Sequence, residues 1–217
     1  EGVFNAFELP VLAVNKLQTI VHNEEQLKAI TDTNLVLEEP LKVWLKIDTG
    51  MHRLGIHPKD FQYYYQSLKN SSNVHDDIVL MSHFSCADDL ENSVTSAQIQ
   101  LFESTIEGLA NPRSFANSAA INAWPQSHYE WIRPGLMLYG VSPMTEPKPS
   151  AKELGLKPVM TLQSSLIAIR EIEAGSAVGY GGAWISDKKT TIGVVAIGYG
   201  DGYPRHAVNG TPVLING

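Results

Sequence analysis

The sequence predicts an α/β fold built on a parallel sheet, followed by a smaller all-β part. Three observations carry that expectation. Up to about residue 141, short apolar runs alternate with stretches of helical period. The connections are a few residues to about a dozen long, which suits helices crossing over between parallel strands. Beyond a proline-rich stretch the period becomes that of strands punctuated by glycine-rich turns.

Leu17 to Val21 is an apolar run with strand character. Asn23 stands where a helix N-cap belongs, with Glu24 and Glu25 in the first turn and Gln26 three residues on, the pattern of a capping box. That helix is expected to reach about Thr31. Val43 to Ile47 is a strand broken by one lysine, Lys46, and a helix begins near Pro58, a residue that suits the first turn. Ile78 to Met81 is the next strand. Ile99, Phe102, Ile106 and Leu109 recur at helical spacing and predict a helix from about Ser96 to Leu109. Ser114 to Ala116 reads as a short strand, Ser118 to Trp124 as a short helix and Leu136 to Tyr139 as another strand. About five strand–helix units fit here, so a closed (β/α)8 barrel, which takes about 250 residues, would be incomplete.

Pro143, Pro147, Pro149 and Pro158 mark residues 142–158 as a linker. It separates an α/β part, residues 1–141, from a β part, residues 159–217. Met160 to Ile169, Thr191 to Ile197 and Pro212 to Ile215 are strand-like there, with turns at Gly179–Gly182 and Gly198–Gly202.

Composition narrows the function classes. The chain of 217 residues is 43% apolar and 18% charged, with no run that approaches a membrane span. Its formal charge of −7, from 16 basic and 23 acidic residues without a basic cluster, argues against nucleic acid. One cysteine, Cys86, leaves no internal disulfide and suits a reducing compartment. The chain opens at Glu1 and closes on a strand-like run at Gly217, so we expect an internal piece of a longer protein.

Candidate chemistry sits at predicted strand ends. The strand through Lys46 breaks at Asp48-Thr49-Gly50, and Arg53 follows. Such loops present polar groups at the carboxyl end of a parallel sheet, although a solvated turn would look the same. The triplet also occurs in aspartic proteases, but those are all-β and the helical periods here speak against them. His83 follows the strand ending at Met81, and could be a metal ligand with Asp88, a hydrogen-bonded core residue or a stacking partner. A third ligand at metal-binding spacing is lacking, so no metal is expected. Asn117 and Ser118 begin a helix, where they could cap it or bind a phosphate. Arg133 is a donor that cannot accept a proton, and Gly135 beside it permits close backbone approach to an anion. Tyr199, flanked by glycines, has a phenol that needs tuning before it can act as acid or base.

These segments together resemble the alanine racemases, pyridoxal-phosphate enzymes of fold-type III. Lys46-Ile47-Asp48-Thr49-Gly50-Met51-His52-Arg53-Leu54-Gly55 is similar to the family's Lys-x-Asp-Thr-Gly-Met-x-Arg-Leu-Gly segment. The segments at His83, Asn117-Ser118, Arg133-Pro134-Gly135-Leu136 and Tyr199 match in order. The resemblance implies a partial (β/α)8 barrel of the TIM type followed by a partial β-domain. It implies that His83 lies against the ring of pyridoxal 5′-phosphate and that Asn117, Ser118, Gly135 and Leu136 bind the cofactor. Arg133 would face the pyridine nitrogen. Lys46, carbamylated in some relatives, would orient Arg53 toward the cofactor and the substrate carboxylate. Tyr199 would be the proton-transfer base, acting across a homodimer interface. The family's cofactor-anchoring lysine has no match in this chain, so the polypeptide by itself is expected to be inactive. A cytoplasmic bacterial enzyme supplying D-alanine to peptidoglycan is the implied role. A broad-specificity racemase or a non-catalytic pyridoxal-phosphate protein are the alternatives.

Overall fold

A computed structural model describes residues 2–32, 34–145 and 149–216. The chain divides into two compact units, residues 1–159 and 160–217.

In the first unit, β1 (Thr19–Val21), β2 (Val43–Lys46), β3 (Val79–Met81) and β4 (Arg113–Ser114) form one parallel sheet in chain order. Neighbour-to-neighbour order with helical crossovers is that of a (β/α)8 barrel wall, here in part. The crossovers are α2 (Glu24–Thr31), α3 (Phe61–Lys69) and α4 (Val94–Thr105), and α5 (Ser118–Ala123) follows β4. A bridge from Ser114 to Trp131 extends the sheet by one more strand position. Before β1 stands a helix that the sequence period does not announce, α1 (Leu9–Val14), with Pro10 in its first turn.

The caps follow the sequence. The Asn23 side chain accepts from the Gln26 amide at 2.8 Å as an N-cap should, while the Gln26 side chain accepts from the amide of His22, one residue before the cap, at 3.0 Å, so the return bond of the expected box is displaced by one residue.

The two-residue strand period sorts the sheet into two faces. Val43, Leu45, Ile47 and Leu80 are fully buried toward the helices with Leu27, Ile30, Leu68 and Phe102. Phe84 stacks on Phe115 with centroids 3.8 Å apart, and Phe102 packs on Phe115 at 5.0 Å. The register pairs Lys46 with Met81, and Met81 with Ser114. Lys46, Met81 and Ser114 therefore share the opposite face with Trp131, and Arg133 follows two residues beyond.

Several expected elements shift. Ile78 and Ala116 fall just outside their strands, and the helix expected at Ser96–Leu109 runs Val94–Thr105. It ends early because the chain turns at Ile106 and reaches a left-handed Gly108 (φ +78°). Leu136–Tyr139 is a 3-10 helix, not a strand. The Ser118 hydroxyl takes the amides of Gly135 and Met137 (2.8 and 3.3 Å), and Gly140 closes the turn at φ +81°. Amides bound there cannot enter a ladder.

In the second unit β5 (Leu166–Ile172) pairs antiparallel with β8 (Thr190–Val195), and β6 (Ala177–Val178) with β7 (Trp184–Ile185). The strand expected from Met160 begins at Leu166, where the β8 partner begins to face it. Gly179–Gly182 and Gly198–Gly202 are turns built around short 3-10 segments. Pro212–Ile215 forms no strand among the described residues: no ladder partner lies beside it.

Candidate active site

The loop after β2 is held from within. The Asp48 carboxylate accepts from the amides of Gly50, Met51 and His52 at 3.0, 3.1 and 3.0 Å, and its second oxygen meets the His52 ring at 3.1 Å. Burial opposes the charge on Asp48, but the Gly50 and His52 amides outweigh it and lower the pKa. The chain then returns beside the strand end, with the Asp48 amide donating to Ile56 O and the Ile56 amide to Lys46 O (2.9 and 2.8 Å). Gly55, at φ +136°, makes that return possible, since a Cβ there would lie 2.6 Å from the Asp48 nitrogen. Lys46 and Arg53 flank this closed loop, and Lys46 is only 9% exposed.

The end of β3 meets the chain after Trp131. Arg133 donates to the Ser82 carbonyl at 2.6 Å and to the Ser114 hydroxyl, and its backbone amide donates to Ala116 O at 2.9 Å. A guanidinium nitrogen lies 3.4 Å from His83 Nδ1. Since arginine only donates, this contact makes Nδ1 the acceptor and assigns the ring proton to Nε2. Burial, then the positive charges of Arg133, Lys46 and Arg53, press the His83 pKa down to about 4. Burial lowers Arg133 to about 10, which leaves it charged at neutral pH. The site is thus a neutral imidazole amid cations that favour an anionic or acceptor ligand.

Asn117 caps α5 by accepting from Ala120 N at 3.1 Å. Ser118 Oγ gathers the Gly135 and Met137 amides, and a Cβ on Gly135 would come to 3.9 Å from that hydroxyl. Leu136, half exposed, follows in the same turn. The structure brings His83 and Arg133 into contact, with Lys46 and Arg53 acting on His83 by charge, and joins Ser118 to Gly135. Tyr199 belongs to the second unit, is 69% exposed, and has the Arg205 guanidinium 5.9 Å from its ring centroid. Sequence reasoning missed Thr49, Ser82, Gln98 and Ser114, buried polar groups that tie these loops together. Their only signal was polarity at otherwise apolar positions.

Part of a parallel barrel wall that gathers cations and a neutral histidine at one sheet end defines an α/β barrel-type protein with a positively charged site at that end. Comparison with known proteins gives its family. The family model described as "Alanine racemase, N-terminal domain" matches residues 1–143, and "Alanine racemase, C-terminal domain" matches residues 159–217. The chain belongs to the alanine racemase family. It is 54% identical over 217 residues to an alanine racemase of Vibrio cholerae and covers 100% of this chain against 59% of that protein. An alanine racemase of Photobacterium profundum is also 54% identical, with 60% of its length covered. Among solved structures, the biosynthetic alanine racemase of Pseudomonas aeruginosa superposes with a TM-score of 0.90 at 42% identity, covering 99% of this chain and 58% of that one. The alanine racemase of Bartonella henselae with covalently bound pyridoxal phosphate gives 0.73 at 26% identity, covering 94% and 55%. The chain therefore spans about 60% of the length of the curated relatives it matches.

Proposed function

We propose that the intact protein containing these residues interconverts L-alanine and D-alanine with pyridoxal 5′-phosphate bound at the carboxyl end of the sheet. The observation that carries this is the half-buried Arg133 guanidinium against the neutral ring of His83. The donor set suits the cofactor: a donor-only cation for a heterocyclic nitrogen, and the Ser118 hydroxyl with the Gly135 backbone, free of a Cβ, for a phosphate. When bound, the cofactor supplies an electron sink that acidifies the α-hydrogen of an attached amino acid.

The chain's own residues have separate tasks. Arg133, a donor that cannot take up a proton, would face the ring nitrogen of the bound cofactor and leave it unprotonated, which would limit the electron demand and restrain side reactions. His83 would lie against the cofactor ring, while Asn117, Ser118, Gly135 and Leu136 would hold the phosphate end. Lys46, as amine or carbamate, orients Arg53 toward the substrate carboxylate. Tyr199 moves the proton at Cα on one face, serving the neighbouring subunit of a homodimer, and a lysine outside these residues serves the other face. In this reading residues 1–141 bind the cofactor, residues 142–158 link, and residues 159–217 bring the phenol. The product D-alanine would feed peptidoglycan synthesis in a bacterial cytoplasm.

The test is the purified full-length protein, assayed for racemisation of L- and D-alanine, serine and lysine with added pyridoxal phosphate. Alanine should turn over far faster than the others, and Tyr199→Phe should abolish most of that rate. Equal rates on all three would make the protein a broad-specificity racemase. Cofactor binding without turnover would make it a non-catalytic carrier and refute the proposal.

A further inference from the structure

Gln98 has no part in the chemistry above, yet it occupies the junction of the loops that have one. It lies on α4 and is 1% exposed. Its Nε2 donates to the His83 carbonyl at 3.0 Å and to the Thr49 hydroxyl at 3.3 Å. Its Oε1 accepts from the Ser85 amide and the Ser85 hydroxyl, both at 3.1 Å. The two hydrogens and two lone pairs of one amide are all used. That exhausts what a glutamine side chain can offer.

The partners fix which way round the amide sits. The Ser85 amide can only donate and the His83 carbonyl can only accept. A carboxylate at this position would set an oxygen against the His83 oxygen, and an aliphatic side chain would leave both groups buried and unpaired. A leucine would pack on α4 as well as its apolar neighbours do, so packing does not explain an amide here. The network also reaches further. Thr49 Oγ1 lies 2.8 Å from Ser82 Oγ, which donates to Ile47 O at 2.8 Å, and the Ser82 carbonyl receives Arg133 at 2.6 Å.

We infer that Gln98 is a positioning residue that sets the loop after β2 against the loop after β3, and so fixes His83 and Arg53 for cofactor and substrate. This rests on the racemase proposal. Through Thr49 it reaches the loop that carries Arg53, and through the His83 carbonyl it holds the residue assigned to the cofactor ring.

The experiment compares full-length wild type with Gln98→Glu, Gln98→Leu, Thr49→Val and Phe102→Leu, the last a core change on the same helix. Three quantities are measured: the dissociation constant of pyridoxal phosphate from the apoprotein, kcat and KM for alanine, and hydrogen exchange at the Ser85 amide. Both Gln98 variants should bind the cofactor more weakly, exchange Ser85 faster, and lose kcat by about 100-fold, the cost of a misplacement of about 1 Å. Thr49→Val removes the contacts of Thr49 to Gln98 and Ser82 and keeps the bonds of Gln98 to His83 and Ser85, so it should raise KM for alanine and leave Ser85 exchange as it was. Phe102→Leu should lower the melting temperature and change neither cofactor affinity nor Ser85 exchange. Gln98 variants that track Phe102→Leu in every quantity would overturn the inference. If neither Gln98 variant folds, an unchanged KM in Thr49→Val overturns it alone. A wild type that does not racemise alanine refutes the proposed function instead, and the Ser85 exchange data still show whether Gln98 holds the loop.

Discussion

Replacing Arg133 by methionine keeps the unbranched stem of the side chain and removes the guanidinium charge from beside His83. The two groups are 3.4 Å apart. In a water-like dielectric, charges at that distance interact by about 1.2 kcal/mol, which is close to one pH unit. The ring titrates at about 4 rather than 6.5, chiefly through burial and next through Arg133. Arg133→Met should therefore raise the His83 pKa by about one pH unit, and not as far as 6.5, because burial persists. The same depression has a stability consequence. Between pH 4 and 6.5 the unfolded chain holds a proton on His83 that the folded one does not. Stability from this group is complete above 6.5, declines as pH falls through that window, and reaches its floor below about 4. The full depression corresponds to about 3 kcal/mol, trimmed by solvent at this partly exposed ring to about 2 kcal/mol. NMR titration of the histidine ring carbons reads the pKa directly, with the amide spectrum reporting that the variant is folded. A His83 that titrates near 6.5 in the folded wild type, or that stays at about 4 in Arg133→Met, refutes the reasoning.

Three further outcomes are open to measurement. Asn117→Ala removes the cap that accepts from Ala120 N at 3.1 Å, and thermal or urea unfolding should register a loss of about 1 kcal/mol. Gly55→Ala puts a Cβ 2.6 Å from the Asp48 nitrogen at φ +136°. A loss of about 3 kcal/mol or more is expected, with weaker cofactor binding as the loop carrying Arg53 moves. Asp48 has its folded pKa lowered below 3.8 by its amide partners, so its contribution is present above 3.8 and vanishes as pH falls through the folded value. Asp48→Asn should flatten that acid limb of the stability curve, and an unchanged limb would show that the three amide bonds carry no such linkage.

Local chemistry made much of the fold legible. Asn23 and Asn117 cap the helices they were expected to start, because an N-cap is decided within four residues. The strands around Leu45 and Leu80 stand out because burial toward helices demands continuous apolar runs. Leu136–Tyr139 misled for the same reason: four apolar residues also suit a strand. The Ser118 hydroxyl, seventeen and nineteen residues away, turns them into a 3-10 helix. Pro212–Ile215 has strand composition but no ladder partner among the described residues, and pairing is not a local property.

The order of motifs, the parallel α/β plan and the family were written in the chain itself, since each depends on residue type and short spacing. Only the folded chain decided that Arg133 grips the Ser82 carbonyl and touches His83, fifty-one and fifty residues away. It alone revealed that one buried amide, Gln98, closes the gap between two loops. Contacts of that range are set by sheet register and helix packing, and a sequence read window by window contains neither.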